Sequence, residues 1–148
     1  MNKLYEKIFP PEPDALDIKI FKYTINLSSK EPKLIIGKDY IFDIMLPDIL
    51  NEFNKINIVK NPFKQLECIH NIFNYIKSLI KFNEGEDKEI GADDIGPVLN
   101  YVLIKAHPIK IHSYIKYIKI FLENNGSKDI NLVNFESMLK GMINYTPK

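Results

Sequence analysis

The sequence predicts a single all-α domain, with about six helices layered around one buried central helix. Three observations support this fold class. First, prolines repeatedly precede or open segments whose apolar residues recur with helical periodicity. Second, those segments place apolar residues three and four positions apart, as one face of a helix requires. Third, the stretch 98–104 is apolar nearly all round, which is typical of a helix buried in the middle of a domain.

Chain length predicts one domain spanning residues 1–148. A chain of this size buries roughly 70% of the surface that its unfolded form exposes, so it can form a core without disulfides or metal. The sequence contains no internal repeat, low-complexity tract or interdomain linker. The prolines that precede or open predicted helices are Pro13, Pro47, Pro62, Pro97 and Pro108.

The first two helices are predicted in the amino-terminal third of the chain. Asp14 is a good N-cap residue, and the apolar face after it predicts a helix that ends near Ser28. The residues of that face are Leu16, Ile20, Tyr23 and Leu27. A second helix is predicted from Pro47 to about Lys60.

The third helix, from Pro62 to Lys81, has the clearest amphipathic stripe. Its apolar positions are Leu66, Ile69, Phe73, Ile76 and Ile80. The acidic stretch 83–89 then predicts an exposed loop, because like charges repel there and Gly85 interrupts it. The central helix is expected from Asp94 to Ala106, ending before Pro108.

Two further helices complete the predicted fold. The first has one apolar face, which consists of Ile111, Ile115, Ile118 and Leu122. Residues 124–129 predict a turn in which Gly126 takes a left-handed conformation. The last helix is predicted from about Leu132 to Ile143.

Composition excludes several functional classes. Twenty lysines, no arginine and a net charge of +1 give neither the overall field nor the bidentate guanidinium that nucleic-acid recognition uses. The single Cys68 and three scattered histidines predict no disulfide, no metal site and a reducing compartment. No apolar run reaches the ~20 residues of a membrane span, and no signal peptide follows Met1. We therefore expect a soluble protein without a cofactor.

Two adjacent carboxylates, Asp93 and Asp94, precede the apolar run of the central helix. If Asp94 is the N-cap, Pro97 falls at the third helical position, where its missing N–H costs no intrahelical bond. Its carboxylate can then accept a hydrogen bond from the N–H of Gly96, and the helix dipole favours its ionised form. Asp93 is then left just outside the helix and free to project. Taken alone, the pair favours an acidic helix start that has no further role.

The surrounding residues resemble a known family. The stretch from Gly91 to Pro108, GADDIGPVLNYVLIKAHP, is similar to the signature of the vacuolar protein sorting nine domain. Leu4–Pro10 with Asp14 and Asp17 resembles the opening segment of that family. Other matching positions are Pro62, Gln65 at the family's lysine position, Leu66 to Ile69, Ser113, Tyr117, Ile118 and Phe121.

The resemblance implies a layered all-α guanine-nucleotide exchange factor for early-endosomal Rab GTPases. In that family the first aspartate of the motif is an acidic finger that displaces nucleotide and Mg²⁺, and Asp93 stands at its position. Pro97 matches the functional proline beside the finger. An apolar groove between the central and last helices receives the GTPase switch regions, and Asn100 or Tyr101 is a candidate for lining it. For Tyr101 a core position is the favoured alternative.

The match fails in a second motif, whose first Tyr and Thr contact the GTPase. Ile130 stands at the Tyr position and Val133 at the Thr position, whereas Asn134 matches. Gly96 also replaces the usual apolar residue between finger and proline. Three hypotheses therefore remain open: an exchange factor, a Rab-binding module with little or no catalysis, and a helical interaction domain without a GTPase partner.

The same resemblance predicts the setting of the protein. We expect a monomer in the cytoplasm, peripheral on early endosomes and acting in vesicle trafficking and endocytosis. The segment from Ile95 to Leu122 carries four lysines and two histidines but no acid. That charge is compatible with an anionic membrane surface, or with lysines that simply solvate an exposed helix face.

Overall fold

Six helices form the described part of the chain. The computed structural model describes residues 14–27, 35–108 and 110–142. The helices are α1 (Ala15–Leu27), α2 (Leu46–Ile58), α3 (Pro62–Glu84), α4 (Ala92–Ala106), α5 (Ile111–Asn124) and α6 (Ile130–Met142). No strand occurs in those ranges. The predicted all-α class is confirmed, while the opening segment Leu4–Pro10 and the predicted helix end at Ile143 lie outside the described residues.

Helix α4 occupies the centre of the domain and packs against α1, α2 and α3. Val98, Val102 and Leu103 are at most 1% exposed, so the predicted burial of this helix is confirmed. The helix ends at Ala106, and His107 adopts a left-handed conformation with φ of 49° before Pro108. Pro108 follows as the residue that cannot continue the helix.

Helix α3 contributes as many buried apolar side chains to the core as α4 does. The predicted stripe is buried at Ile69, Phe73, Ile76 and Ile80, as expected from its periodicity. The rings of Phe53 and Phe73 both meet Phe135 edge-on, at centroid distances of 6.5 and 5.8 Å. These contacts join α2 and α3 to α6.

Some boundaries differ from the prediction by a few residues. Helix α3 continues through Glu84 and ends at Gly85, whose φ of 105° favours glycine, so the acidic loop is shorter than expected. Gly126 is left-handed as predicted, with φ of 71°. Helix α6 begins at Ile130 rather than Leu132, because Asp129 caps it: its carboxylate accepts a hydrogen bond from the N–H of Leu132 at 3.0 Å.

Two buried polar side chains cap helices other than their own. Asp17 on α1 is fully buried and accepts hydrogen bonds from the backbone N–H of His112 at 2.7 Å and of Ser113 at 3.4 Å, and from the Ser113 hydroxyl. These are first-turn groups of α5 that have no intrahelical partner. The amide of Gln65 similarly donates to the carbonyl oxygens of Ile56 and Val59 at the end of α2, both at 3.0 Å.

The described helices include none with the length and apolarity that a bilayer crossing requires.

The thiol of Cys68 lies in the interior, where burial and the charge of Glu52 raise its pKa to about 11. The thiol is therefore protonated at neutral pH, and it serves as a small packing residue.

Loss of the Asp17 carboxylate should destabilise the fold strongly. In Asp17→Ala the first-turn N–H groups of α5 and the Ser113 hydroxyl lose their acceptor in a buried site, so we expect the free energy of unfolding to fall by about 3 kcal/mol in urea denaturation. Asp17→Asn retains one acceptor oxygen and should lose less.

The matched control for this prediction is Asp48→Ala. Asp48 occupies the same position in the first turn of α2 but is exposed. Its removal should change the free energy of unfolding by less than about 0.5 kcal/mol. Equal losses from Asp17→Ala and Asp48→Ala would show that the interhelical cap does not stabilise the fold.

Candidate functional site

The start of α4 differs from the sequence prediction. Gly91 is the N-cap and Ala92 the first helical residue, so the expectation that Asp94 is the N-cap is wrong. Asp94 is the third helical residue, and its carboxylate reaches back to accept a hydrogen bond from the N–H of Gly91 at 2.9 Å. This is the acidic half of a capping box; Gly91 has no side chain to supply the other half.

Pro97 consequently lies inside the helix, at its sixth residue. The missing N–H leaves the carbonyl of Asp93 without its usual intrahelical donor. The expected N-cap at Asp94 rested on avoiding this cost. Two features offset it. Gly96 has no Cβ to collide with the proline ring, which is the clash that normally excludes a helical residue before proline. Asp94 also gains the Gly91 hydrogen bond and an ion pair with Lys88 at 3.3 Å.

Asp93 is the second residue of α4, not a residue outside it as predicted. Its side chain is exposed, and among the described residues the structure records no hydrogen bond or ion pair for it. The unpaired N–H groups of the first turn favour a negative charge at this position. The two neighbouring acids are thus distinct: Asp94 is bound to its own helix start, and Asp93 faces solvent.

An apolar groove of about 280 Å³ lies one turn further along α4, between this helix and α6. Its lining residues are Ile35, Gly96, Pro97, Leu99, Asn100, Leu103 and Met138. Asp93 precedes Gly96 and Pro97 by three and four positions, which places it on the same side of the helix at one end of the groove. The exposed carboxylate and the groove therefore form one continuous surface.

Asn100 and Tyr101 have different environments. Asn100 lines the groove, and its Oδ1 accepts a hydrogen bond from the Tyr23 hydroxyl at 3.2 Å. Tyr101 is 5% exposed and does not line the groove; its ring packs on Phe42 with centroids 4.2 Å apart. Burial, helped by the charge of Asp43, raises the pKa of Tyr101 above its ordinary value. In this structure Tyr101 is a core residue.

The packing of Tyr101 on Phe42 fixes the segment 35–42 against α4, and Ile35 of this segment lines the groove. Further along this segment, the side chain of Asn83 hydrogen-bonds the N–H of Ile41 at 2.7 Å and its carbonyl at 3.2 Å. Glu84 accepts from Lys38 at 3.1 Å and also from the Tyr40 hydroxyl. The end of α3 therefore anchors residues 38–42 beside α4.

The three residues of the second motif lie on α6 but do not line the groove. Ile130 is 71% exposed at the first position of the helix, and Asn134 is exposed one turn before Met138. Val133 lies beside Leu122 and Lys119, on the side of α6 that faces α5. The side chains that line the groove without having been predicted are Ile35, Leu99, Leu103 and Met138; the spacing of positions 96, 99, 100 and 103 was the available signal for α4.

The lysines of α5 do not form a free cationic face. Lys119 pairs with Glu136 of α6 at 3.1 Å, and Lys116 lies 4.0 Å from Asp14 of α1. His112 also lies between these acids, with Nδ1 2.9 Å from Asp14. In the described ranges no group of three potential metal ligands is arranged so that it could hold a metal ion.

Comparisons with known proteins agree with the motif in the sequence. Residues 46–147 match the family model described as the vacuolar sorting protein 9 (VPS9) domain. The chain is 30% identical over 84% of its length to GTPase-activating protein and VPS9 domain-containing protein 1 of Xenopus laevis, and 31% identical over 80% to vacuolar protein sorting-associated protein 9A of Oryza sativa subsp. japonica. It is 28% identical over 95% to the receptor-mediated endocytosis protein 6 homolog of Drosophila pseudoobscura pseudoobscura. The chain spans 9%, 26% and 8% of the length of these relatives, respectively.

The capping role of Asp94 predicts a stability effect that depends on pH. The Gly91 hydrogen bond and Lys88 lower the pKa of Asp94 below its ordinary 3.8. The stabilising contribution is therefore complete above pH 3.8 and is lost as the pH falls through the lower pKa of the folded state. Asp94→Ala should lower the melting temperature by a few degrees at pH 7, and this deficit should shrink as the pH is reduced below 3.8.

Asp93→Ala is the control for this measurement, because it removes the neighbouring carboxylate without removing a recorded contact. Its melting temperature should stay close to that of the unaltered chain across the same pH range. A deficit for Asp94→Ala that persists unchanged in acid would contradict the assignment of the cap to the ionised carboxylate.

Proposed function

Because the chain belongs to the VPS9-domain family, we propose that it is a guanine-nucleotide exchange factor for a Rab GTPase of the early endosome. In this proposal Asp93 is the acidic finger, and the groove beside it receives the switch regions of the GTPase. The observation that carries the proposal is the exposed carboxylate of Asp93, one helical turn before the residues of α4 that line an apolar groove. The names of relatives in endocytosis and vacuolar sorting support the cellular setting.

The chemistry follows from the charge of Asp93. A GTPase holds its nucleotide with a lysine and backbone N–H groups of the phosphate-binding loop, together with Mg²⁺. A carboxylate that enters this site attracts the lysine, repels the phosphates and disturbs the oxygen shell of the metal. Lowering the dissociation barrier by about 4 kcal/mol is enough for a thousandfold faster release.

The groove supplies the binding energy that positions the Asp93 carboxylate on the GTPase. Covering the apolar surface that the half-buried Pro97 and Met138 leave accessible provides the binding energy that brings the finger to the nucleotide. Asp93 is attached to the first turn of a helix whose other turns are buried, so its position relative to the groove is set by the core. A charge placed in this way needs little reorganisation on binding.

A second candidate function is a Rab-binding module with weak or absent catalysis. The specific observation in its favour is the second motif, where Ile130 and Val133 present apolar surface in place of two hydroxyls. Each lost hydrogen bond to a buried partner is worth roughly 1 to 3 kcal/mol. Exchange would therefore be slow on Rabs whose polar groups pair with those hydroxyls. The two functions differ in release rate, not in binding.

Asp93→Ala should abolish exchange without changing the fold. We expect nucleotide release from the responsive Rab to fall to the intrinsic rate in a fluorescent-nucleotide assay, with an unchanged melting temperature. The matched control is Asp87→Ala, which removes an exposed carboxylate from the loop before α4 and should leave the release rate unaltered. Full activity in Asp93→Ala would exclude the finger, and activity lost equally in Asp87→Ala would point to a nonspecific charge effect.

Restoring the two hydroxyls should raise activity. Ile130→Tyr combined with Val133→Thr is expected to increase exchange on typical Rabs at least about tenfold, because the Rab groups left unpaired regain donors. The gain should vanish when Asp93→Ala is added, since the finger acts only once the interface has placed it.

The control for the added tyrosine is Ile58→Tyr, at an isoleucine of similar exposure (75% against 71%) at the end of α2. It should have no effect on release. If the double substitution does nothing, or if the unaltered chain already exchanges as fast as relatives with the complete motif, the assignment of Ile130 and Val133 to the interface is wrong.

A further inference from the structure

Among the described residues that line the groove, one has a polar side chain. Of these seven residues, Asn100 carries a side-chain hydrogen-bonding group; the other six are aliphatic residues, a glycine, a proline and a methionine. An isolated amide on an apolar wall does not add to apolar burial, because a buried donor or acceptor must be paired. Its presence therefore restricts what can occupy the groove.

The amide of Asn100 is held in one orientation from a different helix. The Tyr23 hydroxyl on α1 donates to Oδ1 at 3.2 Å. Because the amide group is planar, fixing Oδ1 also fixes the direction of the Nδ2 hydrogens, on the opposite side of the group. Within the part of the chain that the structure describes, Nδ2 has no hydrogen-bond partner, although Asn100 is half-buried. Two donors are thus available at the groove wall.

We propose that Tyr23 is a positioning residue that directs the Asn100 amide donors into the groove, and that the groove selects a GTPase whose docked switch segment offers a hydrogen-bond acceptor there. This inference rests on the proposed function and adds a specificity determinant to it. A backbone carbonyl or an amide oxygen of the partner satisfies the donors. A partner that presents only apolar atoms leaves them buried and unpaired, and is disfavoured.

The test measures the dissociation constant for the nucleotide-free form of the Rab on which the full chain is most active. Asn100→Leu keeps the approximate volume and removes the donors, so we expect about tenfold weaker binding. Asn100→Asp replaces donors by acceptors that face the partner's acceptor, and should bind more weakly than Asn100→Leu. Tyr23→Phe removes only the hydroxyl and should weaken binding about threefold to fivefold.

A double-mutant cycle separates positioning from a general effect on stability. In the Asn100→Leu background, Tyr23→Phe should cause no further loss of affinity, because the group that it positions is already gone. Tyr75→Phe is the matched control: Tyr75 is a half-buried tyrosine on α3, and its hydroxyl makes no recorded hydrogen bond to any of the described residues. It should leave the dissociation constant unchanged in both backgrounds.

A second measurement uses the free chain. The side-chain amide signal of Asn100 in a ¹⁵N–¹H spectrum, assigned by its absence in Asn100→Leu, should shift in Tyr23→Phe and not in Tyr75→Phe. Each of three results would overturn the inference. The first is an amide signal that does not shift in Tyr23→Phe, and the second is that Tyr23→Phe lowers affinity equally with and without Asn100→Leu. The third is that Asn100→Asp binds more tightly than Asn100→Leu.

These outcomes are distinguishable from failure of the proposed function. If the unaltered chain binds none of the Rabs of the source organism, the proposed function is wrong and the inference falls with it. The other case is a chain that exchanges nucleotide in an Asp93-dependent manner while the effects of Tyr23→Phe and Asn100→Leu on the binding free energy simply add. In that case only the role of Tyr23 is excluded.

Discussion

The burial of most of α4 is the constraint that arranges the other helices. A helix that is apolar nearly all round has no face for solvent, so α1, α2 and α3 must each cover part of it. Its acidic first turn, its edge toward α6 and the end that carries Lys105 and Ala106 remain partly accessible. The charged end and the groove are therefore a direct consequence of how this helix is buried, and the residues that fix its position also fix the candidate site.

Polar contacts between helices determine how the helices around α4 are arranged relative to one another. Asp17 on α1 satisfies the first turn of α5, and Gln65 on α3 satisfies the last turn of α2. Each helix end would otherwise leave backbone groups unpaired in the interior, at a cost comparable to a lost core side chain. Such caps are directional, unlike apolar packing, so they specify one arrangement among the several that would bury similar area.

The fold could be predicted from the sequence because its signals are local. Prolines and apolar periodicity mark the helices, and the continuous apolar run from Val98 to Ile104 marks the central one. The predicted start of α4 is wrong because it rests on the cost of Pro97 and leaves out the missing Cβ of Gly96 and the hydrogen bond from Gly91 to Asp94. The groove could be anticipated only through the family resemblance, since Ile35 and Met138 come from distant segments. The burial of Asp17 had no local signal at all, because an aspartate in a first helical turn is ordinarily a surface residue.

The hydrogen bond between Asp17 and His112 also bears on the order of folding. It joins residues 95 positions apart, so forming it requires closing almost two thirds of the chain into one loop. Helix α1 packs on α4 and α5, which are distant in the sequence, whereas each of α2 to α6 also packs on the helix next to it in the sequence, and such contacts form faster. Helix α1 is therefore expected to dock last during folding and to detach first. Because α1 also carries Tyr23, a newly synthesised chain can expose the Asp93 carboxylate before the polar wall of its groove is in place.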